Sequence, residues 1–180
     1  ERYLLVCLKS SLEQPSMKAL LQHLRGMFAL AIVDRRRQKV FLARDRMGLK
    51  PLVYGQGADG FAFGSTVRAV LPWLPEDKRD FDPEAIDAYL THRYIPAPRT
   101  IFTSLQRLEN AHYLIYDLPT GHLEKTRYWS MPQASANAPA CSQTEALSEL
   151  REAVALRTVA DRPVGVFLSG GIDSSAIASI

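Results

Sequence analysis

The sequence predicts an α+β fold that gives way, near its end, to the opening of an α/β unit. Three observations carry that reading. Short apolar, β-rich runs come in pairs around polar or glycine-bearing turns through the first two thirds of the chain, which is the pattern of antiparallel hairpins. A stretch rich in Pro, Ala, Ser and Asn, Met131 to Ala140, then interrupts the pattern with little to bury and reads as a linker. Beyond it the order becomes helix, strand, helix, as in a parallel-sheet domain.

Each element has its own local cause. Met17, Leu20, Leu21 and Leu24 fall at helical spacing and Gly26 offers a stop, so a helix is expected over Met17 to Leu24. Phe28 to Asp34 and Val40 to Asp45 flank the polar Arg35 to Lys39 and read as a hairpin. Pro51 to Gly55 and Phe61 to Phe63, separated by Gly57-Ala58-Asp59-Gly60, read as a second. Asp82-Pro83-Glu84 supplies an N-cap, a proline at the first helical position and an early acid, starting a helix expected to reach about His92, with Pro96 and Pro98 ending it. His112 to Leu118 and Leu123 to Trp129, around Pro119-Thr120-Gly121, read as a third hairpin. After the linker, Ser142-Gln143-Thr144-Glu145 fits a capping box, and Leu147, Leu150 and Val154 continue one helical face. Val164 to Leu168 reads as a buried strand, and a further helix opens near Asp173.

Composition bounds the function. At 180 residues and 47% hydrophobic the chain can hold one ordinary core or pieces of two domains. Its longest apolar runs fall well short of the roughly 20 residues that span a bilayer, so no membrane segment is expected. The first residues lack an initiator Met and resemble no secretory signal, so the sequence reads as an internal piece. Net charge is +3 with Lys and Arg dispersed, which speaks against nucleic acid as a partner, and Arg35-Arg36-Arg37 is expected as a solvated turn. Cys7 and Cys141 resemble neither a metal pair nor a disulfide framework. A reducing cytoplasm is therefore the expected compartment, with Cys7 a core residue.

The most informative stretch runs from Val164 to Ser175. Gly170 and Gly171 let the backbone turn tightly after a strand and, lacking Cβ atoms, let phosphate oxygens approach the N–H groups. A helix N-terminus adds unpaired donors and a positive dipole end. Ser169, Ser174 and Ser175 add hydroxyls, and Asp173 is placed to hold Mg²⁺ against the phosphates. Any one of these residues alone reads as a turn or a cap; together, directly after a strand, they read as an anion site. The distal Gly-Lys-Ser/Thr of the P-loop is missing. The stretch resembles instead the SGGxDS loop of the ATP pyrophosphatases, which cleave ATP between its α and β phosphates to adenylate a substrate.

Upstream residues narrow that resemblance. Leu24-Arg25-Gly26-Met27-Phe28-Ala29 and Arg44-Asp45-Arg46-Met47-Gly48-Leu49-Lys50-Pro51-Leu52 resemble the later half of a class II glutamine amidotransferase domain, as do Phe63-Gly64-Ser65 and Ala69-Val70-Leu71. An amidotransferase followed by an SGGxDS loop is similar to the glutamine-hydrolysing asparagine synthetases, whose bacterial members Tyr94 to Phe102 also resembles. The resemblance implies the later half of an Ntn-type amidotransferase sandwich over 1–75, a connecting helix, strands and linker over 76–141, and from 142 the first α–β–α unit of a parallel-sheet adenine-nucleotide alpha-hydrolase-like domain.

It also implies a two-site reaction: a terminal cysteine, outside this chain, releases ammonia from glutamine, and Mg-ATP activates aspartate as an aspartyl-adenylate that ammonia converts to asparagine. Leu168, Ser169, Gly170, Gly171, Asp173, Ser174 and Ser175 would carry the ATP side, with ATP and Mg²⁺ as cofactors, Asp173 on the metal, and glutamine and aspartate as the other small-molecule partners. A homodimer is left open. Arg44, Asp45, Gly48 and Pro51 are expected to fix the turn after a strand, with Arg44 and Asp45 in ion pairs, rather than to act in catalysis. Cys7, within the chain, cannot be the terminal nucleophile. The sequence departs from the family at Thr66, usually Glu, at Val53, usually Tyr, and at Glu109-Asn110, usually Pro-Pro. Alternatives are a related amidotransferase that adenylates another carboxylate, as in β-lactam, peptide-cyclising or surface-polymer synthesis, and a noncatalytic remnant. Half an amidotransferase sheet would also expose strand edges, so poor solubility of the isolated segment is expected.

Overall fold

The computed structural model describes residues 17–57, 60–133 and 141–180; Cys7 and most of the expected linker lie outside them. Contacts divide the chain into unit 1, residues 1–131, and unit 2, residues 132–180.

Unit 1 opens with α1, Met17–His23. The first expected hairpin forms as β1, Ala29–Asp34, and β2, Lys39–Arg44, paired from Ala29 opposite Arg44 to Asp34 opposite Lys39. Its turn is the exposed arginine run, with the Asp34 carboxylate accepting from the Arg36 and Arg37 N–H groups at 3.0 and 2.9 Å. The second hairpin is β3, Val53–Gly57, with β4, Gly60–Gly64. The third is β6, His112–Asp117, with β7, Leu123–Arg127. Between them β5, Leu105–Arg107, pairs with β3. All of these pairings are antiparallel, as the sequence predicts, and they form two sheets, β1-β2-β6-β7 and β4-β3-β5.

The period-2 alternation of β2 explains why the sheets stack. Val40 and Leu42 enter a cluster with Leu52, Tyr54, Leu108, Leu114 and Tyr116, while Phe41 and Ala43 enter another with Leu21 of α1, Ala111 and Tyr128. A third cluster joins Val53 of β3 and Leu105 of β5 to Val70 and Leu74. Val70 ends α2, Val67–Val70, and Leu74 follows a 3-10 turn, Leu71–Trp73. Unit 1 is therefore layered as helix, four-stranded sheet, three-stranded sheet, helix. Full burial of side chains such as Leu42, Leu105 and Leu114 contributes roughly 1.5–3 kcal/mol each.

The helix α3, Pro83–His92, starts as expected: Asp82 caps it, its Oδ1 accepting from Glu84 N at 3.0 Å and Ala85 N at 3.3 Å. It is not ended by Pro96 and Pro98. Arg93 takes a left-handed conformation, φ +61°, and its N–H closes on Tyr89 O at 2.7 Å, so the helix has turned off before either proline.

Unit 2 contains α4, Gln143–Ala155, and α5, Ile172–Ser179. The capping box is present, Ser142 Oγ accepting from Glu145 N at 3.2 Å while the Glu145 carboxylate accepts from Ser142 N at 2.8 Å. That reciprocal bonding holds the Glu145 carboxyl below the usual carboxylate range. The expected strand Val164 to Leu168 is a correction: it has no ladder partner among the described residues, and Phe167 is fully exposed. A strand exists only through its neighbours, and the described part of unit 2 supplies none. No described helix is long and apolar enough to cross a membrane.

Candidate functional site

The turn after β2 brings three of the four expected signature residues together. Asp45 is 1% exposed, and its carboxylate accepts from four main-chain N–H groups: Phe28 at 3.3 Å, Met47 at 3.1 Å, and Leu49 and Lys50 at 3.0 Å each. Arg44 does the complementary work with carbonyls. Its Nε donates to Lys50 O at 2.7 Å, Nη1 to Leu108 O at 2.7 Å and Nη2 to Gly48 O at 2.5 Å. Gly48 has φ +68°, and an added Cβ would lie 3.0 Å from Asn110 Cβ and 3.1 Å from Arg44 Cζ. Pro51 sits exposed where the turn re-enters β3.

These hydrogen bonds hold the turn, whereas the expected ion pairs of Arg44 and Asp45 are not among the salt bridges of the described residues. Both charges are spent on the main chain, because a tight turn leaves a cluster of unpaired N–H and C=O groups that must be satisfied when buried. Burial, with Arg107 nearby, lowers the Arg44 pKa, an effect opposed by Asp45 and Glu109. No valence of the Asp45 carboxylate is left facing outward for acid–base work.

Residues that the sequence did not mark complete this turn. Tyr128 is buried, and its hydroxyl donates to Arg44 O at 2.9 Å; burial and the Asp45 charge push its phenol up to about 12. Ala111, left-handed at φ +59°, donates its N–H to Asp45 O and accepts from Tyr128 N. A tyrosine closing a long-range loop leaves no local signature.

The departures themselves find structural partners. Thr66 caps α2, its Oγ1 accepting from Ala69 N at 3.2 Å. Val53 is buried in the third cluster. Glu109 pairs with Lys125 at 2.6 Å, and Asn110 Nδ2 donates to Arg46 O at 3.3 Å, so side-chain bonds hold the segment where the family usually places two prolines.

In unit 2 the glycine loop has a different character. Gly170 takes φ +78° with nothing within 4 Å of an added Cβ. Ser169 Oγ and Ser174 Oγ lie 2.9 Å apart, Gly171 N points at Ser169 Oγ at 3.4 Å, and Ser174 Oγ donates to Gly171 O at 3.1 Å. The structure therefore brings Ser169, Gly171 and Ser174 together, while Leu168, Asp173 and Ser175 stand exposed beside them. Asp173 lies in the first turn of α5, and its carboxylate has no hydrogen bond or ion pair among the described residues. Gly171 caps α5 without a side chain, so the helix start is open to an outside acceptor.

This donor set fits a polyphosphate: open main-chain N–H groups, hydroxyls, and a glycine surface that a phosphate can approach. One free carboxylate fits a cation that is also held by phosphate oxygens. It does not make a metal site by itself, and among the described residues no three His, Cys, Asp or Glu side chains converge on one point. A cavity of about 270 Å³ in unit 1, lined by Asp82, Arg99, Thr100 and Phe102 among others, contains none of the expected site residues.

Comparison with known proteins gives two domain matches. The glutamine amidotransferase domain model matches residues 7–129, and the asparagine synthase model matches residues 145–180. A relative in Methanocaldococcus jannaschii is 32% identical over 86% of this chain. Asparagine synthetase [glutamine-hydrolyzing] 3 of Bacillus subtilis is 35% identical over 88% of the chain. Amidase chry2 of Gibberella zeae is 31% identical over 89%. The chain spans 30%, 26% and 24% of these relatives' lengths.

Proposed function

Since the chain belongs to the glutamine amidotransferase domain family, joined to an asparagine synthase match, we propose that the whole protein is a glutamine-hydrolysing asparagine synthetase. The reaction is ATP + L-aspartate + L-glutamine + water to AMP + diphosphate + L-asparagine + L-glutamate. The observation that carries this reading is the succession, in one chain, of the packed Arg44-to-Pro51 turn and the open Ser169-to-Ser175 loop. The first identifies an amidotransferase fold and the second offers a cradle for the leaving pyrophosphate.

In this reading unit 1 is the later part of an Ntn-type sandwich. Unit 2 is the opening of a parallel-sheet adenine-nucleotide alpha-hydrolase-like domain. Leu168 to Ser175 form the ATP side of the site. The Gly170 and Gly171 backbone admits the β and γ phosphates, and the N–H groups at the start of α5 orient them. Ser169, Ser174 and Ser175 exchange their bonds within the loop for bonds to phosphate oxygens. Asp173 would hold Mg²⁺, which when bound supplies positive charge for the pyrophosphate as it departs. Aspartate's side-chain carboxylate attacks the α phosphorus and becomes an adenylate, and ammonia then displaces AMP. Arg44, Asp45, Gly48 and Pro51 shape the amidotransferase half without touching a reacting atom. A cytoplasmic location, where small soluble substrates are at hand and Cys141 stays a thiol, is part of the same proposal.

A second reading is adenylation of a different carboxylate; the Gibberella zeae relative bears the name amidase rather than asparagine synthetase, so the likeness extends beyond proteins named for asparagine. The test separates them. The whole protein, supplied with Mg-ATP, glutamine and aspartate, is expected to release pyrophosphate and asparagine in equal amounts. Pyrophosphate released only with another carboxylate supports the second reading, and none with any carboxylate overturns both.

A further inference from the structure

We draw no further inference here: the strongest candidate, the outward face of α3 where Ile86, Tyr89 and Leu90 stand exposed with Tyr94 just beyond the helix end, carries nothing because nothing in the structure shows what covers it.

Discussion

Two turns of this chain read alike in sequence and differ in burial and in how their charges are satisfied. Arg44 to Pro51 and Leu168 to Ser175 each follow an apolar run, and each contains an aspartate and a left-handed glycine. Yet Asp45 is buried with four main-chain donors on its carboxylate, whereas Asp173 is exposed with none. The difference teaches that a carboxylate's role is read from its unspent valences. One whose lone pairs are filled by its own chain builds structure, and one left open beside free N–H groups can serve a ligand.

The largest effect expected from this comparison is structural. Asp45→Ala strips the acceptor from four N–H groups in a buried turn and leaves Arg44 without its neighbouring negative charge. Bonds to a charged group contribute about 1.5–3 kcal/mol each and are not additive, so a loss of about 4 kcal/mol is expected. Urea unfolding of the whole protein measures it; a loss below about 1 kcal/mol would show that the turn does not depend on Asp45. The matching change, Asp173→Ala, is expected to leave stability within about 0.5 kcal/mol. It should lower pyrophosphate release about 100-fold, with glutamine hydrolysis preserved. Unchanged pyrophosphate release would remove Asp173 from the metal role and break the contrast.

Why the two turns could be named but not told apart from sequence follows from where their partners lie. Hairpins, the Asp82 cap and the Ser142–Glu145 capping box depend on residues a few positions apart, and local pattern found them all. Arg44 bonds Gly48 and Lys50 within its own turn, but it is locked by Leu108 and Tyr128, 64 and 84 residues away, and it is these distant partners, which bury the turn, that local pattern cannot show. β5 is three residues long, too short for an alternation to register, and exists because β3 offers an edge. Val164 to Leu168 fails in the opposite sense. Its composition is that of a buried strand, but composition cannot supply the ladder.

A titration sharpens the contrast from the packed side. Burial, followed by the Glu109 charge, pushes the Tyr54 phenol up to about 12, and Tyr128 is raised to the same level. An unfolded tyrosine ionises near pH 10. The folded state therefore favours the neutral phenols, and their contribution to stability is complete below about pH 10 and lost as the pH rises toward 12. Absorbance titration is expected to show two phenols ionising late. Tyr128→Phe should remove one of them and weaken the closure of the Arg44 turn by about 1 kcal/mol. A full set of phenols titrating near 10 would contradict the packing assigned to both.

The glycines give the cleanest separation of the two turns. Gly48→Ala adds a left-handed penalty of about 1–2 kcal/mol and also drives a Cβ to 3.0 Å from Asn110 and 3.1 Å from Arg44, so about 2 kcal/mol or more should be lost. Gly170→Ala carries the same kind of conformational penalty but meets no atom within 4 Å. Because the surrounding loop is exposed and makes few bonds, it can relax, and a loss of about 1 kcal/mol or less is expected. In the proposed ATP site, however, the same methyl would occupy the surface that a phosphate approaches. Gly170→Ala should thus weaken ATP binding about tenfold or more, measured by calorimetry on the whole protein, while Gly48→Ala leaves the affinity of the folded molecules unchanged. Were the two substitutions to lower stability equally and leave ATP binding alone, the open loop would be one more structural turn.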